Sequence, residues 1–305
     1  MTTFCAIGNV TIDDLVFTSG ETRMNTPGGN GVYSALGLRV WGSKTEIISI
    51  CGRDYPLEPL KDLGIGTDGL RIMDKATLRN WGLYEDDGTR TFVFRGRDVK
   101  WEDYSPLPKD LSKVRCDHCH LAPLPIRHQI NLCRYLRRNK LGTISLDPDD
   151  RMIAAVGEEQ LLELLNLIDA FLPSRQEVVA LYPDLDPTAA LQRLRHMAPE
   201  VPIIAIKLGA EGVIAHARGQ CTYVHVPALK KEVEDPTGAG DAFGSGFLCG
   251  FSKTRDLVEG LLTGSVSASF AVEGIGVNGL VQASLKEAKE RYMLLKSQVK
   301  VHSFV

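Results

Sequence analysis

The stretch DPTGAGD, residues 235–241, decides how this chain is read. Gly238, Ala239 and Gly240 are small enough to let a phosphoryl group approach bare backbone, yet an aspartate stands at each end and no lysine lies within the stretch. The segment AGDAFGSGFLCGF (239–251) places Phe243, Phe247 and Phe251 at i, i+4 and i+8, the spacing of one helical face. The small residues then sit at a helix N-terminus. There the first N–H groups lack internal partners and the helix dipole adds partial positive charge, which makes an anion hole without a lysine. Asp241, in the first turn, is tolerated by that dipole. It could face an attacking hydroxyl rather than the phosphate and accept its proton. The competing reading, a polar turn and helix cap, requires Asp and Gly but not the whole string.

Outward from this centre, short apolar runs alternate with helical patterns. FCAIGNV (4–10), TEIISICG (45–52), CHLAPLPI (119–126), TISLDP (143–148), IDAFLPS (168–174) and PIIAIKLG (202–209) read as strands. GVYSALGLRVWG (31–42), HQINLCRYLRRN (128–139) and EEQLLELLNL (158–167) read as helices, and KTRDLVEGLLTGSVSASFAVE (253–273) as an amphipathic core helix. This alternation predicts a parallel sheet with helices on both faces. Two regions break the rhythm. NWGLYEDDGTRTFVFRG (80–96) reads as a hairpin turning near Asp87-Gly88, and LVFTSGETRMN (15–25) as another extended piece. Together they suggest a small β-flap that could cover a ligand or form a dimer contact.

The 305 residues carry a net charge of −3, with 44% hydrophobic and 24% charged residues and no long basic run. That composition argues for a folded protein without a nucleic-acid or membrane partner. No apolar stretch reaches membrane-spanning length. The N-terminus lacks a basic leader and reads as a first strand rather than a signal peptide. Seven cysteines without framework spacing suit reduced thiols in a cytoplasmic enzyme.

DPTGAGDAFGSGF resembles the D-T-x-G-A-G-D-x-F signature of the PfkB/ribokinase family of sugar and nucleoside kinases, and the resemblance extends over nearly the whole chain. PGGNGVYSA (27–35) is similar to that family's G-G-[KN]-x-x-N-x-A stretch, with Tyr33 and Ser34 where an Asn is usual. GNVTIDD (8–14) resembles its first strand, and IKLGAEG (206–212) its nucleotide-side segment. The resemblance implies one ribokinase-like domain over 1–305, a three-layer α/β/α sandwich with a mainly parallel central sheet. A β-lid would be formed by about 14–26 and 78–100. It implies ATP and Mg²⁺, and transfer of the γ-phosphoryl group to an alcohol, usually primary. Asp241 takes the base role, with Gly238, Ala239 and Gly240 as the anion hole. Asp235 falls where the family often binds a monovalent cation, commonly K⁺. Lys207, Gly209 and Gly212 fall on the nucleotide side, with Gly274 and Asn278 beside the adenine.

Some residues depart from the pattern. Pro236 replaces a Thr, removing an N–H and fixing φ. The family's N-x-x-E motif, which organises Mg²⁺ through water, reads SRQE (174–177), keeping Glu177 but placing Ser174 where the Asn belongs. DPDDR (147–151) resembles D-P-N-x-R, with Asp149 for Asn. Arg151 there could reach a phosphate, or pair with Asp147 or Asp149 in a solvated turn.

Asp13, Gly28, Gly29 and Asn30 make up the substrate set. A carboxylate accepts two vicinal hydroxyl protons, glycine backbone can donate directly to a polyol, and an amide does both. Asp14 competes with Asp13. In the flap, Phe92, Phe94, Arg95 and Arg97 could close on a ligand, although burial of the two phenylalanines against the neighbouring strand is the simpler reading. CDHCH (116–120) lacks the second ligand pair of a zinc site. GIGTDG (64–69) follows a helical pattern rather than a strand, so the Rossmann context fails. The expected activity is phosphorylation of a sugar or sugar-derived polyol. A nucleoside is the alternative substrate, and a non-catalytic ligand-binding protein the alternative class. Loss of Asp241 or the glycines would have favoured the latter.

Overall fold

The computed structural model describes residues 2–85, 90–95, 100–149, 153 and 156–304. Asp87-Gly88, Arg97 and Arg151 lie outside the described residues. The strands are β1 (Thr3–Ile7), β2 (Thr11–Val16), β3 (Thr22–Gly28), β4 (Lys44–Gly52), β5 (Ile65–Gly66), β6 (Leu70–Met73), β7 (Arg79–Tyr84) and β8 (Arg90–Phe94). They continue with β9 (His118–Leu121), β10 (Ile144–Leu146), β11 (Ala170–Phe171), β12 (Ile203–Lys207), β13 (Val213–Ala217), β14 (Thr222–Val226) and β15 (Lys300–Ser303).

The main sheet runs β15-β14-β13-β12-β11-β10-β9-β1-β4-β5, with β6 also on β4. From β12 to β5 its neighbours are parallel, whereas β12 through β15 pair antiparallel. β1 is buried along its whole length and β4 along most of its own, as expected of parallel strands covered on both faces. Two hydrophobic clusters lie against the sheet. Phe4, Ala6, Leu36, Phe243 and Phe247 belong to one, and Cys5, Ile7, Leu132, Leu164 and Phe171 to the other. Adjacent residues of β1 thus feed opposite clusters, the period-2 alternation of a strand.

The helix predicted from AGDAFGSGFLCGF runs Ala239–Thr254, and Phe243, Phe247 and Phe251 stack along one face of it. The 253–273 segment is not one amphipathic helix. Arg255 adopts a left-handed conformation, Asp256 caps a new helix, Leu257–Ala271, and that helix is buried on nearly every side. Two helices meet almost backbone to backbone here. A β-carbon at Gly246 would stand 2.8 Å from the Thr263 carbonyl oxygen, so only glycine permits the crossing.

The second sheet is smaller, with order β3-β2-β7-β8. β2 and β3 form the extended pair read from 15–25, and β7 and β8 the hairpin read from 80–96. Asp13 and Asp14 lie on β2 of this sheet, not at the end of the first strand of the main one. Phe92 is 39% exposed, contrary to the expected burial, because its partner across the strand pair is Gly82, which has no side chain to cover it. Among the described residues, no helix is long and apolar enough to cross a membrane.

Candidate active site

Asp147 follows β10, Ser174 follows β11, and Lys207 ends β12, so all three stand at the carboxyl edge of the parallel strands. Open α/β sheets bind ligands at this edge. The N-terminus of helix Ala239–Thr254 faces the same place, because a β-carbon at Gly240 would lie 3.2 Å from Lys207 Nζ and 3.8 Å from Asp147 Oδ2. The anion hole read as lysine-free therefore has a lysine, brought in from β12. Lys207 was expected beside the nucleotide. Its ammonium forms an ion pair with Asp147, largely out of water. The reason is positional, since β12 ends directly against the helix start.

Gly238 is the N-cap, with φ 74°, and a β-carbon there would fall 2.0 Å from the Tyr33 ring. Left-handed backbone and close approach both demand glycine. The Tyr33 ring, where the resembling family has an amide, thus packs on the anion-hole loop.

Asp241 is partly buried in the first turn of the helix. Burial pushes its carboxyl well above the usual range, Asp147 and Glu177 push it further, and Lys207 pulls it back. Burial alone would lower Lys207. The carboxylates of Asp147, Glu177 and Asp241 outweigh that and hold it above the ordinary lysine value. The carboxyls of the cluster thus share one ammonium, and burial moves Asp241 and Glu177 toward their neutral forms.

Ser174 and Glu177 form a reciprocal capping box on helix Arg175–Leu181. The Ser174 hydroxyl accepts the Glu177 N–H at 3.4 Å, and the Glu177 carboxylate accepts the Ser174 N–H. Burial raises Glu177 to about 7. Among the described residues, no group of three or more His, Cys, Asp or Glu side chains is placed to hold an ion directly. Mg²⁺ held through water and phosphate oxygens needs no such cage, so Glu177 and its neighbours fit that mode.

Asp235 has no exposed surface. Its Oδ1 accepts the Thr237 N–H at 2.9 Å, and its Oδ2 accepts the Tyr84 hydroxyl at 2.8 Å and the Gly276 N–H at 2.9 Å. The Arg90 guanidinium lies 4.0 Å from Oδ1. These donors and this cation leave a poor fit for a free monovalent ion on Asp235.

Of the expected substrate residues, Asp13 lies on β2 and Gly28 ends β3, while Gly29 and Asn30 begin the next helix. The Asn80 amide donates to Asp13 Oδ1 at 2.9 Å, and a β-carbon at Gly28 would fall 2.1 Å from Asp13 Oδ2. Burial raises Asp13 to about 6, with Asp14 and Asp235 adding to the shift against hydrogen bonds from Asn80 and Thr11. Asp14 is committed elsewhere. It accepts the Asn25 N–H at 2.8 Å and pairs with Arg95, whose guanidinium lies 4.7 Å from the Trp81 ring centroid. Gly29, with φ 97°, caps helix Asn30–Arg39. The Asn30 amide is used on backbone, accepting the Asn9 N–H at 2.7 Å and donating to the Pro123 carbonyl at 2.6 Å.

The remaining candidates are more scattered. Gly209 and Gly212 bound the turn between β12 and β13, both with positive φ. Gly274 is buried and Asn278 exposed at the start of a short helix. Sequence reading missed Asn80, Asn9, Tyr84, Gly276 and the Lys207–Asp147 pair. Asn9, buried, accepts from the Trp101 indole at 2.6 Å and donates to the Tyr104 carbonyl at 2.7 Å. Of these, only Asn80 and Tyr84 gave a hint, since both fall in the hairpin already read as a flap.

The mainly parallel sheet covered by helices on both faces, with a smaller sheet beside it, is the ribokinase-like fold. The chain belongs to the pfkB family of carbohydrate kinases, which matches residues 1–283. It is 26% identical over 255 residues to a cytidine kinase of Thermococcus kodakarensis, covering 83% of this chain and 90% of that protein. It is 35% identical over 247 residues to an uncharacterized sugar kinase of Archaeoglobus fulgidus, covering 79% and 96%. The fold matches a proposed ribokinase II from E. coli, crystallised with ATP and Mg²⁺, at a TM-score of 0.77 and 21% identity, covering 96% and 99%.

Proposed function

We propose that this kinase transfers the γ-phosphoryl group of ATP to a hydroxyl, by preference a primary one, of a sugar or sugar-derived small molecule. The observation that carries the reading is the convergence of Asp241, the Gly238–Gly240 helix start and Lys207 at one sheet edge. Asp13 and Asn80 hold substrate hydroxyls, with the Gly28 backbone beside them. Asp241 accepts the proton of the attacking hydroxyl. Helix N–H groups and Lys207 stabilise the phosphoryl oxygens in flight. Gly209 and Gly212 lie on the nucleotide side, with Gly274 and Asn278 toward the base. Mg²⁺, bound through phosphate oxygens and water near Glu177, would offset charge on the phosphates. A nucleoside is the second substrate reading, favoured by the similarity to a cytidine kinase.

The test is ADP release from Mg²⁺-ATP across sugars, sugar acids, polyols and nucleosides, with Asp241→Asn as control. A substrate-dependent signal lost in the variant supports the reading. Silence across the panel with no ATP-induced thermal shift would sink it.

We further propose that the protein works in the cytoplasm, where its seven unpaired cysteines stay reduced. The exposed Met24, Leu83, Phe92 and Val93 of the small sheet would pack against a second copy. Light scattering that finds only monomer would remove the dimer.

A further inference from the structure

A fully buried carboxylate needs a counter-charge as well as hydrogen bonds. Asp235 belongs to the loop that leads into the anion hole, and one of its bonds, from the Thr237 N–H, is internal to that loop. The Gly276 N–H comes from the segment after helix Leu257–Ala271. The other two partners come from the small sheet. Tyr84 and Arg90 are direct cross-strand partners on β7 and β8. Tyr84 donates its hydroxyl to Oδ2 and lies 3.4 Å from the Thr237 hydroxyl, while Arg90 brings its guanidinium to 4.0 Å from Oδ1. That distance is long for a hydrogen bond. Coulomb attraction, however, is non-directional and falls only as 1/r, so the guanidinium still compensates the buried charge.

We propose that this single rung of the small sheet is a charge-bearing latch. Arg90 supplies at Asp235 the positive charge that a free monovalent cation would otherwise supply, and Tyr84 pins the same carboxylate. Docking of the small sheet and charge balance under the anion-hole loop are then one event. The protein needs no K⁺, and Arg90 and Tyr84 are positioning residues that act through Asp235 and the loop. The effect on turnover rests on the kinase reading, whereas the effect on stability does not.

The test compares wild type, Arg90→Met, Arg90→Lys and Tyr84→Phe in KCl and in choline chloride at equal ionic strength. Thermal unfolding is followed without nucleotide, and ADP release with the best acceptor. The latch predicts that wild type has the same Tm and kcat in both salts. Arg90→Met should lose roughly 4 °C in Tm and about tenfold in kcat in choline chloride. Arg90→Lys should stay near wild type, and Tyr84→Phe should fall between. Wild type that is stabilised or activated by K⁺ over choline overturns the proposal. So does an Arg90→Met protein that matches wild type, or an Arg90→Lys protein as impaired as Arg90→Met. If no acceptor is phosphorylated and ATP gives no thermal shift, the kinase reading fails while the Tm series still decides the latch.

Discussion

The anion-hole corner and the substrate corner of this molecule are built in opposite ways. The first sits on the main sheet and its helices. Gly238 is packed on Tyr33, Gly246 lets two helices touch, and Lys207 is locked to Asp147 at the end of a buried strand. The second is carried by a four-stranded sheet with exposed apolar side chains, joined to the main body through polar contacts such as Tyr84–Asp235. Groups that must meet a developing charge gain from rigid placement. Groups that must admit and release a substrate gain from an element that can move as a unit. The difference predicts that damage to Asp241 or Lys207 shows in kcat, and damage to Asp13, on the small sheet, shows in KM.

The sharpest break would come from Asp241→Asn, which should lower kcat by about 10²–10⁴ and leave nucleotide affinity nearly unchanged, as read by steady-state kinetics beside a nucleotide titration. Normal turnover in that variant would remove Asp241 as the base. Next in size is Lys207→Met, expected to lower kcat by roughly 10²–10³ and also to lower Tm, because it removes a buried ion pair with Asp147. An effect on KM alone would move Lys207 out of the rigid corner.

Asp13→Asn tests the other side. Loss of charged hydrogen bonds to substrate should raise KM by about tenfold to a hundredfold with a smaller change in kcat. The carboxyl, raised to about 6, is protonated in free enzyme below that pH and cannot accept two hydroxyl protons. Wild-type KM should therefore fall as pH rises through about 6, and Asp13→Asn should flatten that dependence. Stability runs the other way. Because the folded value, about 6, lies above the ordinary carboxylate value, ionisation disfavours the fold. The contribution of Asp13 to stability is thus lost as pH rises from the ordinary carboxylate value to about 6. The smallest effect is expected of Ser174→Ala, which removes one half of a capping box and should cost about 1 kcal/mol of stability, measured by denaturant unfolding, with little change in kcat.

Much of the architecture was legible because it is local. Phe243, Phe247 and Phe251 mark one helical face whatever surrounds them, and Gly238 signals a helix start because its backbone needs no help to be left-handed. The β-α alternation and the 80–96 hairpin are equally local. Illegible were the partnerships made across the sheet edge. Ser174 read only as a replacement for the Asn of the N-x-x-E motif; its capping of the helix together with Glu177 was not read. Asp235 read as a cation site, and a tyrosine and an arginine from another sheet lie against it. Phe92 read as buried, yet it faces a glycine.

The sequence by itself determined the class of fold, the glycine-capped helix start, and the aspartate in its first turn, since each follows from spacing and from backbone chemistry within a few residues. Tertiary structure alone decided which charges surround them. Lys207, Asp147, Arg90 and Asn80 come together only after strands far apart in the chain are laid side by side, and burial there, which no short segment can specify, pushes the carboxyls of Asp241 and Glu177 up.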